Sequence, residues 1–372
     1  MKRIALVDIL RGIAILGTLG TNIWIFAHLG DLKYITTTDF FGWSSMDDIL
    51  RLLVLFVCNG KLLGMLTIMF GVGMEIKYQQ SIRHNKPWIG MYKWVIVFLM
   101  VEGLLHYVFV MEYDVLMSYA VTAGIIAVIL KRGERVVKRA LWVAGAIHLG
   151  LLALIFTSML FGPAFSMESS PQMLAIYAEG TWLDQVQNRL MNFIFFRAEA
   201  IFIIPLNVIL FIVGIKLMRS GAFSFTERGI AIQRKLLIWG LGLGLPLNML
   251  TFVPGGLFDL PVRYLFAPVL ALGYIGLIAF LVRKCSTWGM WKWLEKTGRM
   301  SLSCYILQNI TATAIFYGWG LGLGGTLNSV EIIGIFCVIV VGQIILANLW
   351  LIKFPYGPVE WLRKGMLQRL ER

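Results

Sequence analysis

Long apolar stretches, interrupted by short polar ones, run along the whole chain. A helix that crosses a membrane needs about 20 mostly apolar residues. Ten segments meet or approach that length, at roughly 4–27, 48–76, 90–111, 114–130, 138–161, 197–216, 234–253, 262–282, 300–319 and 331–353. The first is read as a retained helix rather than a cleaved signal peptide, because Asp8 and Arg11 lie inside it and it is too long. The polar intervals test the count. Lys and Arg gather at the N-terminus, in every second interval (Lys77–Lys93, Lys131–Arg139, Lys216–Lys235, Arg283–Arg299) and in the tail after Lys353. The other side receives only Lys33, Arg189, Arg197 and Arg263, while Arg11, Arg51 and Lys61 fall within spans. Cytoplasmic loops of membrane proteins collect positive charge. The expected fold is therefore an all-α polytopic integral membrane bundle of about ten transmembrane helices, with both termini inside.

Composition agrees with that pattern. Of 372 residues, 59% are hydrophobic and 14% charged, with a mean hydropathy of +0.79. These figures exclude a soluble domain, a disordered chain, collagen and a disulfide scaffold. The net charge of +13 would suggest nucleic acid in a soluble protein. Here the inner loops account for it, so membrane lipids are the expected partner and nucleic acid is not. The four cysteines have no metal or redox spacing, and no metal site is expected. No phosphate-binding loop or dinucleotide fingerprint stands in a credible context.

The intervals divide the chain into three parts: an N-terminal membrane bundle (1–161), an outer loop (162–196) and a C-terminal membrane region (197–372). The other long outer loop, 28–47, carries Asp31, Asp39 and Asp47, as the 162–196 loop carries Glu168. Ser44 and Asp47 have capping-box spacing at the start of the second span. Trp182–Phe196 is amphipathic and suits the outer membrane interface. Gly240 and Gly244, four apart, allow close helix contact. Pro205 with Asn207, and Pro246 with Asn248, mark places where a helix opens.

Charges inside spans cost at least about 2.5–3.5 kcal/mol near the membrane centre, so each is a candidate site. Lys61 lies near the middle of the second span. Glu102 and His106 lie one turn apart on the third, with Asp114 just past its outer end. A carboxylate beside an imidazole fixes its tautomer and suits general-base chemistry. The alternative is a buried structural polar cluster. Asp8 and Arg11, three apart, either pair with each other or form an inner anion site for a phosphorylated cofactor. Asn22 lies in the outer third of the first span and His28 at its mouth. His148, Gln308, Asn309 and Gln343 read as core groups joined by interhelical hydrogen bonds.

The opening run Arg3 to Gly17, with Asp8, Arg11 and Gly12, resembles the start of YeiB-type bacterial membrane proteins. Further landmarks follow in order: Gly60-Lys61, Met69 to Gly73, Gly103 to His106, and Asp114-Val115-Leu116. The last third looks like the domain of unknown function 418 that defines this family. Its marks are Gly298 to Tyr305, Phe316-Tyr317-Gly318 and Gly357 to Trp361. Where the family pattern has Gly-Asp before the fourth span, this chain has Tyr113-Asp114, and the usual Thr-Asn before Tyr305 reads Ser303-Cys304.

The N-terminal half is in turn similar to the transmembrane acyltransferase superfamily, whose Asp-x-x-Arg-Gly signature matches Asp8, Arg11 and Gly12. The sugar O-acyltransferases of that group have a histidine eleven positions after the arginine. Here it is Asn22, as in the lysosomal-type branch, which uses a histidine in the following outer loop, where His28 lies.

The resemblance implies a multi-pass protein of the bacterial cytoplasmic membrane that moves an acyl group from cytosolic acyl-CoA or acetyl-CoA to an outer hydroxyl or amine on an envelope glycan or lipid. Arg11, with Asp8 and Asn22, would belong to the cofactor site. His106 or His28 would be the general base, Glu102 or Asp114 would orient His106, and Lys61 would stabilise charge. The competing expectation is a transporter or exporter of a small or lipidic solute built on Lys61, Glu102 and His106.

Overall fold

The computed structural model describes residues 3–37, 45–161 and 169–370. The expected Asp39, Ser44 and Glu168 features lie outside them. Among the described residues the chain is helical throughout, with no strand. The N-terminal half contains α1 (Ala5–Ala27), α2 (Met46–Cys58), α3 (Lys61–Arg83), α4 (Trp88–Phe109), α5 (Leu116–Lys131) and α6 (Glu134–Phe161). The segment between the two halves forms α7 (Pro171–Ala178), α8 (Trp182–Met191) and α9 (Phe193–Arg197). Then come α10 (Ala200–Ser220), α11 (Glu227–Asn248), α12 (Asp259–Pro261), α13 (Ala267–Lys284), α14 (Met290–Arg299), α15 (Ser301–Phe316), α16 (Ser329–Lys353) and α17 (Pro358–Leu370).

Eight helical stretches are long and apolar enough to cross a membrane, and the architecture is a polytopic helical bundle. The expected fourth and ninth spans correspond to α5 and α15, which have 16 residues each. At 1.5 Å per residue each is about 24 Å long, short of the 30 Å hydrocarbon core.

The second span is not one helix. It breaks at Asn59-Gly60, where Gly60 adopts φ +74°, and resumes as α3. A side chain at Gly60 would lie 2.7 Å from the Arg263 carbonyl oxygen, so the break packs directly against the π-helical turn Val262–Phe266. The start of α2 is capped by Ser45, whose hydroxyl accepts from Asp48 N at 3.4 Å. Trp182–Phe196 is two helices, the first opened by a capping box between Thr181 and Asp184. Pro205 and Pro246 leave α10 and α11 unbroken. Asn248 near the second proline donates to Gly244 O at 2.7 Å and Phe266 O at 3.0 Å.

Glycines set the closest helix crossings. A Cβ on Gly298 of α14 would fall 1.7 Å from Asp8 O of α1. One on Gly240 of α11 would meet Gly273 N of α13 at 2.3 Å, which bears out the close-contact reading of Gly240 and Gly244. The first residues of α1, α4 and α15 share one end of the bundle with the last residues of α3 and with α17. That end carries most of the Lys and Arg and is called the basic end below.

Gly273→Val is expected to lower stability by about 1–3 kcal/mol, because α13 must move off α11. Gly242→Ala, with open space around its Cβ, should be neutral. Thermal unfolding of both variants in detergent checks the difference.

Candidate functional site

The last turn of α4 brings His106 into the core, 3% exposed. Its Nδ1 lies 3.1 Å from Asp114 Oδ1. Asp114 stands just before α5, and its Oδ2 accepts from Leu116 N at 2.8 Å and Met117 N at 3.3 Å. The carboxylate thus serves two of the amides that a helix start leaves unpaired. Its Oδ1 also accepts from Tyr305 Oη of α15 at 3.3 Å. One turn further along α15, Asn309 Nδ2 is 3.1 Å from His106 Nε2. With the amide nitrogen donating to Nε2, the imidazole proton sits on Nδ1, which lies close to the Asp114 carboxylate but outside hydrogen-bonding geometry. The rings of His106 and Tyr305 are 5.0 Å apart.

A cavity of about 690 Å³ leads from the basic end to Tyr305, the member of this group that lines it. Arg3, Arg11, Lys77, Arg299, Arg363 and Lys364 surround its mouth, against the carboxylates of Asp8 and Glu360. Ile15, Leu66, Phe70, Val95, Ile96 and Leu99 make its walls apolar, and Leu116, Tyr119 and Tyr305 lie at its inner end. Asp8 pairs with Arg3 at 2.9 Å and Arg11 at 3.5 Å, and Arg11 also donates to Met69 O at 3.4 Å. Glu360 fastens α17 over the mouth by accepting from Leu302 N at 2.9 Å, Ser303 N at 3.3 Å and the Ser303 hydroxyl. Lys364 donates to the Tyr356 phenol at 2.6 Å, which lowers that phenol's pKa from its ordinary value.

The structure brings His106 and Asp114 together and sets Asp8 and Arg11 in the cavity wall. It separates the other candidates. Glu102 shares a helix face with His106 but makes no bond to it, and both its oxygens are buried without a partner. Asp114, eight residues past His106, is the carboxylate that lies beside its Nδ1. Lys61 is fully buried at the start of α3, where it donates to Leu55 O at 3.4 Å and lies over the Phe56 ring. It helps close the C-terminal end of α2 and lines neither the cavity nor the histidine pocket. His28 stacks on Tyr34 with ring centroids 3.4 Å apart. Burial, with Arg51 and Lys33 nearby, pushes its pKa down to about 3. Asn22 is half-buried and makes no side-chain hydrogen bond among the described residues. His148 bonds Tyr264 O at 2.9 Å, Gln308 donates to Thr18 Oγ1 at 3.3 Å and Gln343 to Cys304 O at 2.9 Å, as core groups.

Several participants escaped the sequence reading. Tyr305 was visible only as part of a motif, Asn309 as an interhelical polar group, and Arg363 and Lys364 as tail charges. Arg189 and Arg197 counted only as outer charges, yet they clamp the turn that carries Asp114. Arg189 pairs with Glu112 at 3.3 Å and donates to Val108 O at 3.0 Å. Arg197 donates to Asp114 O at 2.8 Å and to Glu112 O. Tyr107 Oη closes the contact on Arg189 O at 2.6 Å.

Residues 217–369 match the family model described as Protein of unknown function (DUF418). The chain is 24% identical over 381 residues to "Uncharacterized protein YxaH" of Bacillus subtilis (strain 168), covering 97% of this chain and 93% of that protein. It is 25% identical over 401 residues to "Uncharacterized protein YeiB" of Escherichia coli (strain K12), covering 99% and 97%. No solved structure matches the chain.

Asp114→Asn should cost about 1–3 kcal/mol, since charge-assisted bonds to two amides and a phenol weaken together. Glu102→Gln, which breaks no hydrogen bond, should be neutral or stabilising. Chemical denaturation of the two variants against wild type separates these outcomes. His28 stays neutral in the fold while its unfolded counterpart, near pKa 6.5, takes up a proton. Its contribution is therefore complete above about pH 6.5 and falls as the pH drops toward 3. His28→Phe, which keeps the stack on Tyr34, should flatten the loss of stability between pH 7 and 5, read from unfolding midpoints across that range.

Proposed function

This chain is a YeiB-type membrane protein of the DUF418 family, and we propose that it is a transmembrane acyltransferase of the bacterial cytoplasmic membrane, its basic end facing the cytosol. One observation carries the reading. A single cavity joins a mouth of six cationic side chains to an apolar interior and then to Tyr305, which is bonded to the carboxylate facing His106. That sequence of environments suits a donor with phosphates at one end and an acyl group at the other, such as acyl-CoA or acetyl-CoA. Arg11, Arg363 and Lys364 would hold the phosphates through charge-assisted hydrogen bonds. The acyl group would extend between α1, α3 and α4.

His106 would act as general base, with Asp114 holding its Nδ1 proton and stabilising the imidazolium. The acceptor, a hydroxyl or amine on an envelope glycan or lipid, would lose its proton to Nε2 as its oxygen or nitrogen bonds to the acyl carbon. The carbon–sulfur bond breaks, and the leaving thiolate takes a proton back from His106. Asn309 occupies Nε2 in this conformation and would give way to the acceptor.

A transporter reading has its own support: the helix break at Asn59-Gly60 against the π-helical turn, and the unpartnered Glu102 carboxyl. Calorimetry with acetyl-CoA and CoA on the purified protein separates the two. Saturable binding is expected, weakened at least about tenfold by Arg363→Ala or Arg11→Ala. His106→Ala should keep that binding and lose transfer. Absence of binding up to millimolar ligand, by folded protein, would overturn the acyltransferase reading in favour of transport.

A further inference from the structure

The glycine-lined pair of α11 and α13 opens into a second concave site. α11 and α13 run antiparallel, with Gly244 against Leu270, Gly240 against Gly273 and Leu237 against Gly276. Past that last contact, at the basic end, lies a groove of about 390 Å³ that shares no lining residue with the large cavity. Arg234 of α11 and Arg283 of α13 line it, and no carboxylate does. Both guanidiniums are exposed and neither has an ion-pair partner among the described residues. Arg283 lies 5.9 Å from the Phe280 ring centroid.

Gln233 contributes the groove's buried polar group, at 3% exposure. Its amide nitrogen is committed to Ala222 O at 2.8 Å and Ser224 O at 3.0 Å, while its Oε1 is buried with no partner. About one turn deeper the lining becomes apolar, with Leu237 and Ile238, the latter 54% exposed on the outside of the bundle. Along the helix axis the groove therefore passes from two unpaired cations to an apolar trough open to the side. A soluble phosphate would use only the first part. A phospholipid matches both, because its phosphate sits where membrane-spanning helices end and its chains run beside them.

We propose that this groove binds an anionic phospholipid, with the phosphate between Arg234 and Arg283 and an acyl chain along Leu237, Ile238 and Phe280. Guanidiniums suit the role because their fork of donors engages phosphate oxygens in pairs. The assignment is independent of the acyl-transfer reading.

Native mass spectrometry of the full-length protein, titrated with phosphatidylglycerol, phosphatidylcholine or glycerol 1-phosphate, tests it. Phosphatidylglycerol should form a saturable adduct and phosphatidylcholine should not. R234Q/R283Q should weaken the adduct about 30-fold, and R283Q alone about fivefold. R132Q/R135Q, in a different basic loop, should leave it unchanged. The single variant keeps the test open if the double variant folds poorly. Equal binding of phosphatidylcholine, or wild-type affinity in the arginine variants, would overturn the proposal. Displacement of the lipid by equimolar glycerol 1-phosphate would also overturn it, in favour of a soluble-phosphate site.

Discussion

The carboxylate of Asp114 has no exposed surface, and three helices answer to it. One oxygen holds the first amides of α5, and the other faces His106 of α4 and Tyr305 of α15. In an apolar bundle such a charge is tolerated only when donors surround it, here two amides of α5 and the Tyr305 phenol. That requirement fixes the turn between α4 and α5 and the register of α15 together. The clamp from Arg189 and Arg197 follows from the same constraint, since it pins the backbone on which Asp114 stands. The helices α8 and α9 are thereby part of the site's support, although they are distant in sequence from every residue that lines the cavity.

A contrast with Glu102 and Lys61 sharpens the point. Both are buried ionisable groups, yet no carboxylate and no cation meet across the core between them. Lys61 donates its ammonium to Leu55 O, a carbonyl in the last turn of α2 that also accepts from Asn59 N, which is a structural use. Glu102 lies one turn along α4 from Leu99, which lines the cavity, and it has no fixed partner. Burial alone therefore separates neither a site from a support nor a paired group from an unpaired one. The identity of the neighbours decides.

Close glycine crossings shape both concave regions. Gly12 and Gly298 draw α14 onto α1, which sets Arg299 and α15 beside Arg11 at the cavity mouth. The α11–α13 glycines bring two backbones together, and where their side chains part the arginine-lined groove remains. Helices in a membrane gain association energy from such packing rather than from hydrophobic burial, so small residues at crossings carry unusual weight.

Much of the architecture was legible along the chain, because hydrocarbon demands about 20 apolar residues per crossing and penalises each charge separately. These are properties of single positions and short windows. Hydropathy and charge alternation therefore sufficed for the all-helical bundle, and the cost of polar groups within spans flagged Lys61, Glu102, His106, Asp8 and Arg11, with Asp114 just past the end of the third. The break at Gly60 escaped, since a left-handed glycine leaves the apolar pattern unchanged. Of the two carboxylates expected beside His106, Glu102 and Asp114, spacing could not choose, and the fold brings Asp114 nearer. Tyr305, Asn309 and Arg363 joined the site from 190 or more residues away. Composition and periodicity determined which residues sit in the membrane-facing bundle and which are costly there. Only the tertiary structure decided which of those meet, because pairing depends on the distance between two side chains, and that distance is set by how the helices cross.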